Sequence, residues 1–268
     1  LLGDGSYDSR NYEGFGYWNM VPPKIVNTVY SEAPSDEALG DFNGDGLAEL
    51  AIGRIPARTA PVITTVYNKT VAFETPAMQN LNRGAVCAYD FPIGFDFQAT
   101  CQLLHDELPP SVPRILVGRG DVNAQATLIN EINTGRFIVN YSGHGTTGLW
   151  ANGSFFGISN VPQLTNTNPT VFTMLTCLNG YFIGPNDGLS EALIKKQGGG
   201  AAAAWSSTGL TTPDIQLIMG LRFYEQMGQG SITRLGDLVR DAKTAIPFGA
   251  DTRLSWALLG DPMMKIRP

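Results

Sequence analysis

Two residues have the types and setting for covalent chemistry. His144 lies in Asn140-Tyr141-Ser142-Gly143-His144-Gly145, and Cys177 in Met174-Leu175-Thr176-Cys177-Leu178-Asn179-Gly180. A histidine between glycines has little side-chain cover and a permissive backbone. A cysteine ahead of Asn-Gly sits where the chain must turn. A thiol nucleophile and an imidazole that moves its proton are the minimum apparatus of a cysteine hydrolase. Plainer readings compete at each position: a lone cysteine is commonly an inert small hydrophobe, and a lone His-Gly a turn. Chemistry gains weight because both residues close an apolar run.

Those runs are 85–89, 115–117, 137–141, 171–175 and the alanine-rich 201–205. They are continuously apolar rather than alternating, as in strands covered on both faces. Alanine favours helix, but Gly198–Gly200 end one element and open another before the alanines. Longer amphipathic stretches read as helices over about 60–76, 97–107, 213–228 and 233–246. Two more are expected: one capped by Asp121 and stopped by Gly135, and one beginning at Asp187 with Lys195 and Lys196 in its last turn. Strands alternating with helices imply an α/β fold, a mostly parallel sheet with helices on both faces. Sites in such sheets form at the carboxyl ends of strands, which is where His144 and Cys177 fall. The Asn/Thr/Pro-rich stretch 160–170 reads as a loop bordering the same cleft.

Composition narrows the function classes. The chain has 268 residues, 43% hydrophobic and 16% charged, with a formal net charge of −6. This suffices for a sizeable core, shows no basic patch for nucleic acid, and contains no apolar run near the ~20 residues of a membrane helix. Two histidines exclude multi-histidine zinc sites by counting. Three cysteines allow at most one bridge and leave at least one thiol. The start, Leu1-Leu2-Gly3, has neither an initiator Met nor a signal peptide, so the chain reads as a mature or excised piece whose targeting segment lies elsewhere.

The ordered set of motifs resembles the gingipain-type cysteine peptidases of the caspase-like clan. Its elements are an apolar strand ending Gly143-His144-Gly145, a second ending Cys177-x-x-Gly180 after 33 residues, Leu189–Leu193, the glycine-rich step into Ala201–Trp205, and Leu258-Leu259-Gly260-Asp261-Pro262. Gly3-Asp4-Gly5 and Ile52-Gly53-Arg54-Ile55-Pro56 extend it over nearly the whole chain. The resemblance implies a three-layer α/β/α sandwich, with a catalytic core over 59–268 continuous with the loop-rich 1–58. It implies that Cys177 attacks the scissile carbonyl and His144 protonates the leaving amine. The N–H groups of Gly145 and Cys177 would bind the oxyanion. Asp90 stands where the family places an acid beside the imidazole, although a turn or cap role competes. Asp96 stands where arginine-specific members line the pocket for the residue before the cleaved bond, so Arg or Lys substrates are expected; an N-cap role competes. The pocket tryptophan of those members has no counterpart, since Trp205 lies earlier in the chain. The partner implied is a protein or peptide substrate, with a propeptide or flanking domains outside this chain and an extracellular or cell-surface setting. The alternative is a non-catalytic or latent module of a surface or secretion-system protein; a sorting-signal peptidase with a narrow substrate also stays open.

A second motif is Asp41-Phe42-Asn43-Gly44-Asp45-Gly46-Leu47-Ala48-Glu49. Alternating oxygen ligands at Asp41, Asn43, Asp45 and Leu47, with Glu49 completing the shell, suit a structural calcium ion; a solvated turn is the competing reading. No organic cofactor is expected. Asp4 and Asp8 are read as solvating their loop or holding a second cation. His105 reads as a packing or surface residue, and the sequons at Asn68 and Asn152 carry no weight alone.

Overall fold

The computed structural model describes residues 1–16, 19–151 and 155–268. The Asn152-Gly153-Ser154 sequon lies outside the described residues. In chain order the elements are β1 (Lys24–Asn27), β2 (Glu32–Ser35), α1 (Ala60–Glu74), α2 (Pro76–Gln79), β3 (Ala85–Tyr89), α3 (Phe97–Asp106), β4 (Arg114–Gly118), α4 (Ala124–Asn133) and β5 (Ile138–Ser142). There follow β6 (Leu149–Trp150), β7 (Phe156–Gly157), β8 (Thr170–Leu175), α5 (Leu189–Lys195), β9 (Ala201–Ser207), α6 (Pro213–Gly228), α7 (Leu235–Thr244), α8 (Asp251–Leu254) and β10 (Trp256–Leu259).

The central sheet has the order β10-β9-β8-β5-β3-β4. All pairs are parallel except β10 with β9. One apolar layer fills the face under α3, α6 and α7; the other packs α1, α4 and α5 on the opposite face. Burial on both faces explains the unbroken apolar runs. The alanine run is strand β9, with every residue buried, because small side chains let α1 and α5 approach closely.

Element ends depart from expectation where local chemistry intervenes. The stretch 60–76 breaks at Thr75, because the residue before Pro76 is pushed out of helical geometry (ψ 142°). Asp121 does not cap α4: it accepts from Gly118 N at 2.7 Å, and Asn123 precedes the helix. Asp187 does not begin α5; Gly188 does, and Asp187 pairs with Lys195 at 2.7 Å. The stretch 160–170 does not border the cleft. It leads into β8 at the amino-terminal edge of the sheet, where Arg83 donates to the carbonyls of Gly135, Asn168 and Pro169. A loop before a parallel strand lies at the opposite edge from the loop after it. Asp4 and Asp8 are buried: Asp4 pairs with Arg58 at 2.6 Å, and Asp8 accepts from Tyr12 N and Glu13 N at 2.8 Å each. The bridge allowed by counting joins Cys87 of β3 to Cys101 of α3, leaving Cys177 free.

The first 58 residues are fastened by Arg54, which is fully buried. Its guanidinium is bidentate on Asp36 at 2.6 Å and donates to the carbonyls of Gly3 (2.7 Å) and Val21 (2.8 Å). It lies 4.5 Å over the Phe182 ring, and its backbone bonds Leu258 and Gly260. Removing one partner of such a pair leaves the other charge buried and uncompensated. Arg54→Ala is expected to lower the stability by about 3–5 kcal/mol in urea titration; a loss under about 1 kcal/mol would show that water reaches Asp36.

Candidate active site

Ser142 of β5 and Leu175 of β8 are direct partners, so His144 and Cys177 each lie two residues beyond the same rung. Their two loops touch. A Cβ on Gly145 would collide with Thr176 Oγ1 and come within 3.2 Å of the Cys177 carbonyl oxygen. A Cβ on Gly143 would collide with Tyr141 Oη and lie 2.6 Å from Asp90 Cβ. Glycine is required at both places by close approach. Asn179, fully buried, ties the loops together by donating to the carbonyls of Thr146 (2.5 Å) and Leu149 (3.3 Å).

The His144 backbone is held through its carbonyl, which accepts from Tyr141 Oη at 2.8 Å and Ala151 N at 2.6 Å. Burial pushes the Tyr141 phenol well above its ordinary range, so it remains a donor. Its ring stacks on Trp150 with centroids 4.4 Å apart. The imidazole is exposed and meets the Phe97 ring edge to face at 5.4 Å. Ala151 and Leu178 have positive φ, 52° and 61°, a conformation that costs a residue other than glycine about 1–3 kcal/mol. Both adjoin the site, Leu178 directly after the cysteine.

Cys177 is half-buried, and its thiol donates to the Thr211 carbonyl at 3.5 Å. Burial pushes the thiol above its ordinary value, because removing water penalises the charged form. An activated thiolate would instead carry a depressed value. Among the described residues, no hydrogen bond engages the N–H of Gly145 or of Cys177.

Asp90 ends up beside Gly143, with its N–H on the Ser142 carbonyl at 3.0 Å. Its carboxylate accepts from Arg119 at 3.0 Å and from Phe91 N at 2.8 Å. No hydrogen bond joins it to the His144 ring among the described residues. Asp96 caps α3, accepting from Ala99 N at 2.9 Å through one oxygen, and is exposed. It immediately precedes Phe97, so the start of α3 faces the imidazole. Trp205 lies in the core, stacked on Phe223 at 5.1 Å, and reaches no cleft. His105 is buried on α3, and burial lowers its imidazole to about 4.

The Asp41–Glu49 loop is elsewhere, held to α7 by Arg240 on the Glu49 carbonyl at 2.6 Å. Carboxylate oxygens of Asp41, Asp45 and Glu49 lie within 4.8 Å of one another. Asp41 accepts from Gly44, Asp45 and Gly46 N–H groups, Asn43 from Asp45 N, Asp45 from Leu47 N, and Glu49 from Phe42 N. The donor set is all oxygen, which suits a hard cation.

Sequence reasoning missed Tyr141, Phe97, Asn179 and Arg119. Only Asn179 had a signal, the Asn-Gly after the cysteine. A thiol raised by burial should alkylate slowly near neutrality. Iodoacetamide should modify Cys177 in the free protein more slowly at pH 6.5 than an exposed cysteine, with the rate still climbing above about pH 8.5. A rate already level below pH 7 would mean that the thiolate exists at rest.

The sequence profile of peptidase family C25 matches residues 1–267. Gingipain R2 of Porphyromonas gingivalis is 27% identical over 155 residues, 52% of this chain and 21% of the relative. The crystal structure of the Arg-specific cysteine proteinase gingipain R superposes with a TM-score of 0.83 at 22% identity, over all of this chain and 63% of that one. A complex of the pro- and mature domains of a P. gingivalis gingipain gives 0.81 at 22% identity, covering 64% of that chain. The chain spans about a fifth of the length of this curated relative and under two thirds of the solved chains. The fold is the caspase-like α/β/α sandwich, and the chain belongs to peptidase family C25, the gingipain-type cysteine peptidases.

Proposed function

We propose that this chain is an extracellular or cell-surface cysteine endopeptidase that cleaves after Arg or Lys. One observation carries the reading: an exposed imidazole and a free thiol lie two residues beyond one sheet rung, beside two unengaged N–H donors. A peptide carbonyl lying over the rung meets Cys177 Sγ on one side. As the S–C bond forms, the thiol proton passes to His144. The oxyanion accepts from Gly145 and Cys177 N–H, each such donor being worth about 3–4 kcal/mol in the transition state. The imidazolium protonates the leaving amine, and the neutral ring then draws a proton from the water that cleaves the thioester. Asp90 acts on the turn that carries His144, through its packing on Gly143 and its bond to Ser142.

The preference for a cationic side chain rests on Asp96. One of its oxygens accepts from Ala99 N, and the other has no donor among the described residues. A guanidinium or ammonium ion would supply one. A gingipain solved with its pro-domain supports a propeptide partner for this chain also.

The test is labelling of the folded protein with acyloxymethyl ketones bearing Arg, Lys, Leu or Asp. The adduct is expected on Cys177, at least about tenfold faster with Arg or Lys, and Asp96→Asn should erase that preference. No adduct with any probe would establish the non-catalytic or latent alternative.

The Asp41–Glu49 loop holds a structural calcium ion in this reading, through Asp41, Asn43, Asp45, the Leu47 carbonyl and Glu49. A ligand at 100 times its Kd adds about 2.7 kcal/mol, so removing calcium with EGTA should lower Tm by about 5 °C. Asp45→Asn should abolish that difference. An equal Tm with and without chelator would reduce the loop to a solvated turn.

A further inference from the structure

A general acid is useful only when its ring points at the atoms it serves. Nothing polar fixes the His144 ring: among the described residues no hydrogen bond reaches it, and the two donors on the Asp90 carboxylate, Arg119 and Phe91 N, both bond its Oδ1. Its backbone is clamped by Tyr141 and Ala151, so the remaining freedom is rotation about the side-chain bonds. The group against the ring is Phe97, with centroids 5.4 Å apart and planes at 78°. An edge-to-face pair has a preferred angle, because the positive rim of one ring seeks the negative face of the other.

We infer that Phe97, pinned by the Cys87–Cys101 disulfide, is the positioning residue that aims the His144 imidazole. Phe97 is 1% exposed and is the first residue of α3, directly after the Asp96 cap. Cys101 lies four residues on, on the same face of the helix. Its sulfur is bonded to Cys87 at the centre of β3, the strand next to the one that carries His144. The aim therefore passes from the sheet through a covalent link and one helical turn to the ring. Phe95 packs on it as well, with centroids 5.5 Å apart. The disulfide is fully buried. Its role here is placement of α3, and Asp96 is placed by the same helix.

The catalytic consequence rests on the peptidase reading; the orientation does not, so the test reads them separately. The chain has two histidines. The His144 signals in proton NMR are those lost in His144→Ala. Phe97→Leu keeps an apolar side chain but removes the aromatic edge. It should free the His144 side chain to average between rotamers, read as Hα–Hβ couplings that move toward their unstructured-peptide values. With a cleavable Arg or Lys peptide it should lower kcat by up to about tenfold and leave KM within about twofold. Phe97→Tyr should restore both. The Cys87→Ala/Cys101→Ala pair, checked for folding by its melting curve, should move the couplings in the same direction. Unchanged couplings in folded Phe97→Leu overturn the inference whatever the turnover. Averaged couplings in a protein that cleaves no peptide support it while the peptidase reading falls.

Discussion

The buried Arg54 guanidinium is the constraint on which the rest of the architecture hangs. It joins pieces of chain far apart in sequence: Gly3 and Val21 near the start, Asp36 after the small hairpin, and Phe182 five residues beyond Cys177. Its own backbone extends the edge of the sheet beside β10. The loop-rich first 58 residues have little core of their own, and this ion pair substitutes for one. A buried pair of this kind gives specificity more than net stability, because desolvation offsets most of the attraction. What it supplies is a single arrangement of the segments it touches.

Other buried cations work in the same way. Lys69 aims its ammonium at the Leu193, Ile194, Lys196 and Gly199 carbonyls, closing the end of α5, and burial lowers it to about 7. Lys243 pairs with Glu37 at 2.8 Å and donates to Trp256, fixing α7 to β10. In a chain only 16% charged, such charges inside the molecule act as joints between elements. The site benefits because its loops must tolerate two crowded glycines and two residues at positive φ. Strain of that kind persists only where the surroundings over-determine the backbone.

The layers and the place of the site were legible in the sequence for one physical reason. Strands covered on both faces must be apolar throughout, and a chemically distinctive residue after such a run falls at a known edge of the sheet. Runs 85–89, 137–141 and 171–175 land on β3, β5 and β8 within one residue. What stayed hidden depends on partners far apart in the chain. The tie of Asp90 to Arg119, the choice of Cys101 for Cys87, and the contact of Phe97 with His144 are set by packing, which no local pattern records. The placement of 160–170 failed for a different reason: nearness in sequence to the Cys177 strand says nothing about which end of that strand a loop occupies.

The raised thiol constrains how the proposed reaction can run. A peptidase that holds its cysteine as a thiolate carries a reactive nucleophile at all times. Here burial favours the neutral form, and the S–H has an acceptor in Thr211. Attack then requires the proton to leave as the carbonyl arrives, so the imidazole must be aimed before the substrate binds. Aim therefore matters more at this site than the strength of any base. A hydrogen-bonded carboxylate would orient the ring and also raise its proton affinity; an aromatic edge on a helix bolted to the sheet constrains the ring with far less effect on its basicity. That combination suits an imidazole that must accept a proton from one group and release it to the next within a single turnover.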